Sequence, residues 1–121
     1  MELGDLEVYR LARGISKDAW GIYKQFDWQT KKKMIGDQFI TAVDSIAANI
    51  AEGFGRFHYL DRNKFNYNAR GSLFESLHWV DALEERELIE KGEAENLKKG
   101  LNSLSVRLNN YISTTRSLHK S

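Results

Sequence analysis

Hydrophobic residues recur every three or four positions along four segments of the chain, which is the spacing of one buried face on a helix. The segments run over about residues 6–26, 31–54, 61–89 and 93–119, and are called A, B, C and D below. Asp5 and Thr30 precede the first two and are residue types that cap helices. The core candidates are Val8, Leu11, Ala12, Ile15, Ala19, Ile22 and Phe26 in A, Phe39, Val43, Ile46, Ile50 and Phe54 in B, Phe65, Ala69, Leu73, Val80 and Leu83 in C, and Leu97, Leu101, Leu104, Leu108, Tyr111, Thr115 and Leu118 in D.

These patterns predict an all-α fold. No strand-like alternation stands out, and the chain has no proline to interrupt a helix. Segment D repeats every seven residues, which is typical of the seam in a left-handed bundle. Short connections favour antiparallel neighbours. We therefore expect one domain over residues 1–121, an antiparallel up-down-up-down four-helix bundle.

The composition excludes several classes of protein. Hydrophobic residues make up 41% and charged residues 29% of the chain, as in globular domains. The absence of cysteine excludes disulfides, thiol catalysis and cysteine-ligated metal. No apolar run is long enough to span a membrane, and the first ten residues, MELGDLEVYR, do not resemble a signal peptide. A cytoplasmic protein without membrane contact is the expectation.

Charge is segregated along the chain although the net charge is only +1. Acids dominate residues 81–95, and cations dominate the region after Gly53 and the end of segment D. In the expected topology these cations meet at one end of the bundle, together with His58 and His119. The candidate nucleic-acid-binding residues are Arg56, Arg62, Lys64, Arg70, Arg116 and Lys120. The alternative for each of them is ordinary solvated surface.

The stretch "SIAANIAEGFGR", residues 45–56, closes segment B and carries Asn49, Glu52, Gly53 and Arg56. On a helix, Asn49 and Gly53 lie on a small shoulder beside the apolar stripe, where a neighbouring helix can approach closely. Glu52 and Arg56 have the i,i+4 spacing of an ion pair. A packed helix edge is the favoured interpretation. A ligand site in which Arg56 holds a phosphate, and a contact between subunits, stay open.

A second stripe of large side chains follows segment C. Leu60, Tyr67, Phe74 and His78 lie roughly opposite its core face. Scattered exposed aromatic residues are ordinary, but an ordered stripe suggests a protein contact. We expect these four residues to line an interface between copies of the chain.

Signs of catalysis or metal binding are weak. Glu75 and His78 form a single Glu-x-x-His motif, whereas di-iron bundles carry two. The glycines at 53 and 55 follow a helix, whereas a phosphate loop follows a strand. The serines of segment C lack a base and an orienting group. The sequence predicts no enzymatic activity, no cofactor and no metal site.

Three blocks together carry a family resemblance: "DLEVYRLA" (residues 5–12), "SIAANIAEGFGR" (45–56) and "NYNARGSLFES" (66–76). They resemble the family encoded by intervening sequences of bacterial 23S rRNA genes, over nearly the whole chain. The resemblance implies a four-helix bundle that assembles into a ring, with a homopentamer as the known form. A similar fold serves as the accessory protein of diversity-generating retroelements, a basic pentamer that works with a reverse transcriptase and nucleic acid.

We therefore expect a non-enzymatic homo-oligomer, a ring and by resemblance a pentamer, whose basic end contacts RNA or DNA. A ring would combine several modest basic ends into one larger patch. The alternative is a scaffold or adaptor that binds another protein, for which the acidic end is the candidate surface.

Overall fold

Five α-helices and one 3₁₀ turn account for most of residues 1–118, the part of the chain that the computed structural model describes. The 3₁₀ turn is Leu3–Asp5, and the α-helices are α1 Glu7–Tyr23, α2 Trp28–Lys32, α3 Gly36–Phe54, α4 Tyr59–Glu85 and α5 Lys91–Leu118. No strand occurs among the described residues. The all-α prediction is confirmed.

Segment B, expected as one helix, is divided into α2 and α3. Asp27, not Thr30, caps α2, because its Oδ1 accepts a 2.7 Å hydrogen bond from the backbone N–H of Thr30. That bond lowers the pKa of Asp27. The chain turns over residues 33–35, and α3 begins at Gly36. A Cβ on Gly36 would lie 2.8 Å from the Cα of Lys31, so only glycine lets α3 leave α2 at this angle.

The start of α1 also differs from the prediction. Leu6 is the N-cap and makes no side-chain capping bond. Asp5 lies in the preceding 3₁₀ turn, where its Oδ2 accepts a hydrogen bond of 3.0 Å from the backbone N–H of Glu2. The expected capping role of Asp5 is therefore wrong. Its carboxylate closes the turn that leads into the helix.

The four long helices contact one another in a closed order: α1 packs on α3, α3 on α4, α4 on α5, and α5 on α1. Polar contacts join three of these pairs of helices. The contacts are Ser45 with Ser72 for α3 and α4, Asn63 with Ile112 and Glu84 with Lys98 for α4 and α5, and Glu7 with Arg107 for α1 and α5.

The core lies between these helices. Its largest fully buried apolar side chains are Phe39, Val43, Ile46 and Ile50 of α3, Leu73, Val80 and Leu83 of α4, and Leu97, Leu101, Leu104 and Leu108 of α5. Tyr111, a predicted core residue, is half-buried and packs against the core, and its neighbour Ile112 is 3% exposed.

Candidate nucleic-acid interface

Gly53 marks the closest approach between α3 and α4. A Cβ on Gly53 would lie 2.9 Å from the backbone oxygen of Arg62 and 3.1 Å from the Cβ of Phe65. Gly53 is buried and has a negative φ. Glycine is therefore required at this position because there is no room for a side chain, and not because of the backbone conformation. The small shoulder inferred from the sequence is thus occupied by α4.

Asn49 is half-buried and uses its amide inside the fold. Its Nδ2 donates to the backbone oxygen of Ser45 at 2.9 Å and is 3.0 Å from Ser45 Oγ. The Ser45 hydroxyl in turn lies 2.9 Å from the hydroxyl of Ser72 on α4. These contacts connect Asn49, through Ser45, to α4. The amide N–H groups of Asn49 are used in hydrogen bonds to Ser45, within α3 itself. We call the line of contacts from Asn49 and Ser45 to Gly53 the α3–α4 seam.

Two asparagines of α4 extend this seam to α5. Asn63 is 5% exposed, and its Nδ2 donates to the backbone oxygen of Ile112 at 3.2 Å. Asn66 is 1% exposed and donates to Asn63 Oδ1 at 3.0 Å. Asn66 Oδ1 has no conventional hydrogen-bond donor among the described residues, and it lies 3.6 Å from where a Cβ on Gly53 would be.

Glu52 and Arg56 face outward and are separate from the seam. Arg56 Nη2 donates to Glu52 Oε1 at 2.6 Å, and the two side chains are 45% and 54% exposed. The Arg56 guanidinium also lies 4.9 Å from the ring centre of Phe65. Arg62 Nε donates to the backbone oxygen of Arg56 at 2.6 Å. The four residues named from the sequence therefore divide into a packed pair, Asn49 and Gly53, and a surface ion pair.

A second group of cations gathers around Tyr67. Arg116 of α5 donates to the Tyr67 hydroxyl, and the guanidinium of Arg70 lies 5.1 Å from the centre of the same ring. Arg70 Nη1 also donates to Asn109 Oδ1 at 3.0 Å. These bonds orient both guanidinium groups on the outer surface between α4 and α5. Each keeps N–H groups that its hydrogen bonds do not use.

The remaining predicted cations contribute less definite contacts. Lys64 is exposed, and no ion pair or hydrogen bond to it appears within residues 1–118. Lys120 lies outside the described residues, as does His119. We use the term basic end for Arg56, His58, Arg62, Lys64, Arg70 and Arg116. The acid nearest in sequence to these residues, apart from Glu52, is Asp61.

The predicted interface stripe is exposed in the structure. Leu60, Phe74 and Tyr67 are 69%, 56% and 38% exposed. His78 is exposed and contacts the ring of Trp79 edge-on, with 4.7 Å between the ring centres. Tyr67 belongs both to this stripe and to the group that Arg70 and Arg116 form. The stripe therefore adjoins the basic end at Tyr67.

A groove that the sequence did not indicate lies between α1 and α3. It has a volume of about 690 Å³, with Tyr9 and Trp20 among the α1 residues that line it and Ala47, Ala48 and Ala51 on the α3 side. Small side chains on α3 keep it open. Sequence reasoning missed it because these alanines were assigned no role beyond helix formation. The spacing of these alanines along α3 is the feature of the sequence that could have indicated the groove.

At the other end of the molecule, Tyr23, Lys32 and Asp37 form a hydrogen-bonded cluster that joins α1, α2 and α3. The Tyr23 hydroxyl donates to Asp37 Oδ1 at 2.5 Å, and Lys32 Nζ lies 3.0 Å from Asp37 Oδ2. The bond from Tyr23, followed by that from Lys32, lowers the pKa of Asp37. The same bonds raise the pKa values of Tyr23 and Lys32. The three groups stabilise the turn over residues 33–35, near the start of segment B.

The acidic end is partly neutralised within the chain. Lys98 of α5 lies 2.9 Å from Asp81 Oδ1 and 3.0 Å from Glu84 Oε1, both on α4. The bond with Asp81, and then that with Glu84, raises the pKa of Lys98. Glu93 accepts a hydrogen bond from the backbone N–H of Glu90 at 2.9 Å at the start of α5.

No group of three or more potential metal ligands occurs among residues 1–118. Over the same residues, no helix combines the length and the apolar character needed to cross a bilayer. The helices instead combine a buried apolar face with exposed polar residues.

Comparison with known proteins identifies the family. The family model described as 23S rRNA-intervening sequence protein matches residues 4–110. This chain belongs to that family. A solved structure with a similar fold is a protein of unknown function from the S23 ribosomal protein family of Bacteroides thetaiotaomicron, with a TM-score of 0.77 and 18% sequence identity. The match covers 87% of this chain and 97% of that one. None of the curated proteins matches this sequence.

Proposed function

We propose that this member of the 23S rRNA-intervening sequence protein family is a non-enzymatic, antiparallel up-down-up-down four-helix bundle. It assembles with copies of itself into a ring, a pentamer, and binds RNA or DNA through the basic end. The closed order of helix contacts supports the bundle. The observation that carries the nucleic-acid role is the gathering of cations from the α3–α4 turn, α4 and α5 on one end of the molecule.

The chemistry of the basic end suits a phosphate backbone. Arginine guanidinium groups bind phosphate oxygens through paired N–H groups, and Arg70 and Arg116 are already oriented by Asn109 and Tyr67. Their orienting partners are neutral, so these two charges are not cancelled by a carboxylate. Arg56 differs, because Glu52 offsets its charge. A single chain therefore offers a modest patch, which assembly multiplies.

Assembly is supported by two surfaces on different sides of the molecule, an exposed apolar stripe and an open groove. The stripe of Leu60, Tyr67 and Phe74 projects from α4, and the groove between α1 and α3 is floored by alanine side chains. A stripe on one side of the molecule that docks in a groove on another side gives a heterologous contact. Heterologous contacts between identical chains generate rings when the rotation closes. The occupant that we assign to the groove is the α4 stripe of the next copy.

Sedimentation velocity tests the assembly. We expect Phe74→Glu in the stripe and Ala48→Glu in the groove each to give a smaller species than the unsubstituted protein. Val106→Glu is the matched control, since Val106 is 63% exposed on α5 and lies outside both surfaces. If both stripe and groove variants sediment like the unsubstituted protein, this interface is wrong.

Binding of structured RNA at two salt concentrations tests the nucleic-acid role. Each phosphate contact that is lost lowers the slope of log affinity against log salt by about 0.7–0.9. We expect the double variant Arg70→Gln, Arg116→Gln to bind more weakly and with a smaller slope. Lys24→Gln removes one charge at the far end of α1 and should leave both quantities unchanged. The absence of any binding at low salt would overturn this role.

That negative result would favour the alternative, a protein-binding scaffold. The acidic end is the surface for such a role, but Asp81 and Glu84 already share Lys98. Less uncompensated charge is therefore available there than the run of acids in the sequence suggests.

A further inference from the structure

Phe57 is an exposed aromatic residue that lies between two residues of the basic end, Arg56 and His58. It lies in the turn between α3 and α4, and 86% of its surface is exposed. The backbone before it is held by the bond from the Arg56 N–H to the oxygen of Gly53, at 3.0 Å. The Phe57 ring meets the His58 ring edge-on, with 5.3 Å between the ring centres. The ring therefore presents a face to solvent from a defined turn.

The charged residues near Phe57 in sequence are the cations Arg56, Arg62 and Lys64 and the acids Glu52 and Asp61. Arg56 precedes it, and Arg62 is bound through its Nε to the Arg56 backbone oxygen, which leaves the terminal N–H groups of Arg62 unused by that bond. Lys64 is exposed further along the same helix. The carboxylate of Glu52 is bound to Arg56. An apolar surface bordered by these charges is poorly suited to another apolar protein surface and well suited to a polyanion that carries flat rings.

We propose that Phe57 stacks on an unpaired base of a single-stranded RNA or DNA segment, while Arg62 and Lys64 hold the neighbouring phosphates. The inference rests on the proposed nucleic-acid role and names its substrate class. Single-strand binders combine cations that follow the backbone with aromatic side chains that stack on bases. A base within a duplex is covered on both faces by its neighbours, so a ring that projects from a turn can stack only on an unpaired or terminal base.

The test compares a single-stranded oligonucleotide with the same sequence paired to its complement. The unsubstituted protein should bind the single strand more tightly. Phe57→Ala should weaken single-strand binding roughly tenfold and leave duplex binding unchanged. The slope against salt should stay the same, because Phe57 carries no charge. Arg62→Gln should instead lower that slope.

Two further variants separate stacking from general apolar contact. Phe57→Trp keeps an aromatic face and should bind at least as tightly as the unsubstituted protein. Phe57→Leu keeps apolar surface without that face and should behave like Phe57→Ala. Trp28→Ala is the control, since Trp28 is an aromatic residue 64% exposed on α2, away from the basic end.

The outcomes distinguish this inference from the proposed function. Binding of neither strand form at low salt overturns both. Equal binding of single strand and duplex, or a Phe57→Leu variant equal to the unsubstituted protein, overturns the stacking role alone. A Phe57→Ala variant that sediments as a smaller species also overturns it, because Phe57 then belongs to a contact between copies.

Discussion

Gly53→Ala is the substitution for which the structure gives the sharpest expectation. The added methyl group would meet the backbone oxygen of Arg62 at 2.9 Å and the Cβ of Phe65 at 3.1 Å. Carbon atoms in contact are ordinarily about 3.5–4.0 Å apart. Neither neighbour can rotate away, since one is a backbone atom and the other is fixed to the backbone. The helix α4 itself must move.

The expected cost is the difference between two opposing effects. Overpacking of this kind typically costs about 1–3 kcal/mol. Replacing glycine by alanine in a helix recovers roughly 0.5–1 kcal/mol of that cost, because alanine loses less backbone entropy on folding. Gly53 is one residue from the end of α3, so its gain is at the low end of this range. We expect Gly53→Ala to lower the free energy of unfolding by about 0.5–2.5 kcal/mol.

Gly21→Ala is the matched control. Gly21 lies in α1, and a Cβ there meets no heavy atom within 4 Å. The same chemical change should therefore stabilise the protein, by roughly 0.5–1 kcal/mol. Urea unfolding, followed by far-ultraviolet circular dichroism at one fixed protein concentration, measures both variants. Equal shifts for the two variants, or a stabilised Gly53→Ala, would refute the reasoning from close approach.

Three further predictions concern the polar contacts of the helices. Asn63→Ala should lower the free energy of unfolding by about 1–3 kcal/mol, because the buried amide of Asn66 loses its acceptor. Asp27→Ala should lower the melting temperature through loss of the α2 cap, and Asp27→Ser should restore most of it. The Asp37 carboxylate, with its pKa lowered by Tyr23, stabilises the fold above its ordinary pKa of 3.8, and that contribution is lost as the pH falls towards the folded value. Asp37→Asn should therefore flatten the loss of stability over this acidic range in urea unfolding.

Each of these has its own control. Asn68→Ala changes an exposed asparagine of the same helix and should leave stability nearly unchanged. An Asp27→Ser variant no more stable than Asp27→Ala would contradict the capping role. Tyr23→Phe removes the largest cause of the low Asp37 pKa and should also flatten the acid dependence. A wild-type slope in both the Tyr23 and Asp37 variants would contradict the assignment.

The helices themselves were predictable because their apolar spacing is regular, and the exceptions have physical reasons. The break before α3 was missed because Ile35 and Phe39 keep a helical interval across it. Only Gly36 signals the break, and its role depends on the angle between α2 and α3. The Tyr23 bond to Asp37 joins residues 14 apart in sequence, a separation for which periodicity gives no contact rule.

The candidate site likewise has a part that could be predicted from the sequence and a part that could not. The ion pair of Glu52 and Arg56 follows from i,i+4 spacing on one helix and was predictable. The contact of Gly53 with Arg62 and the buried position of Asn66 depend on how α3 and α4 slide along one another. A single sequence shows which face of a helix is small, but it does not fix which residues of the neighbouring helix that face meets.

The blocks that carry the family resemblance therefore have two roles. They pack α3 against α4, and they position the turn that carries Phe57. Gly53 and Asn66 set the distance between α3 and α4, and the turn that carries Phe57 begins two residues after Gly53. The Arg56 backbone accepts a bond from Arg62, whose own backbone oxygen lies against Gly53. A change at Gly53 must then displace the cations and the exposed ring together, although Gly53 itself is buried. The buried seam thus determines the geometry of the surface that we propose to bind nucleic acid.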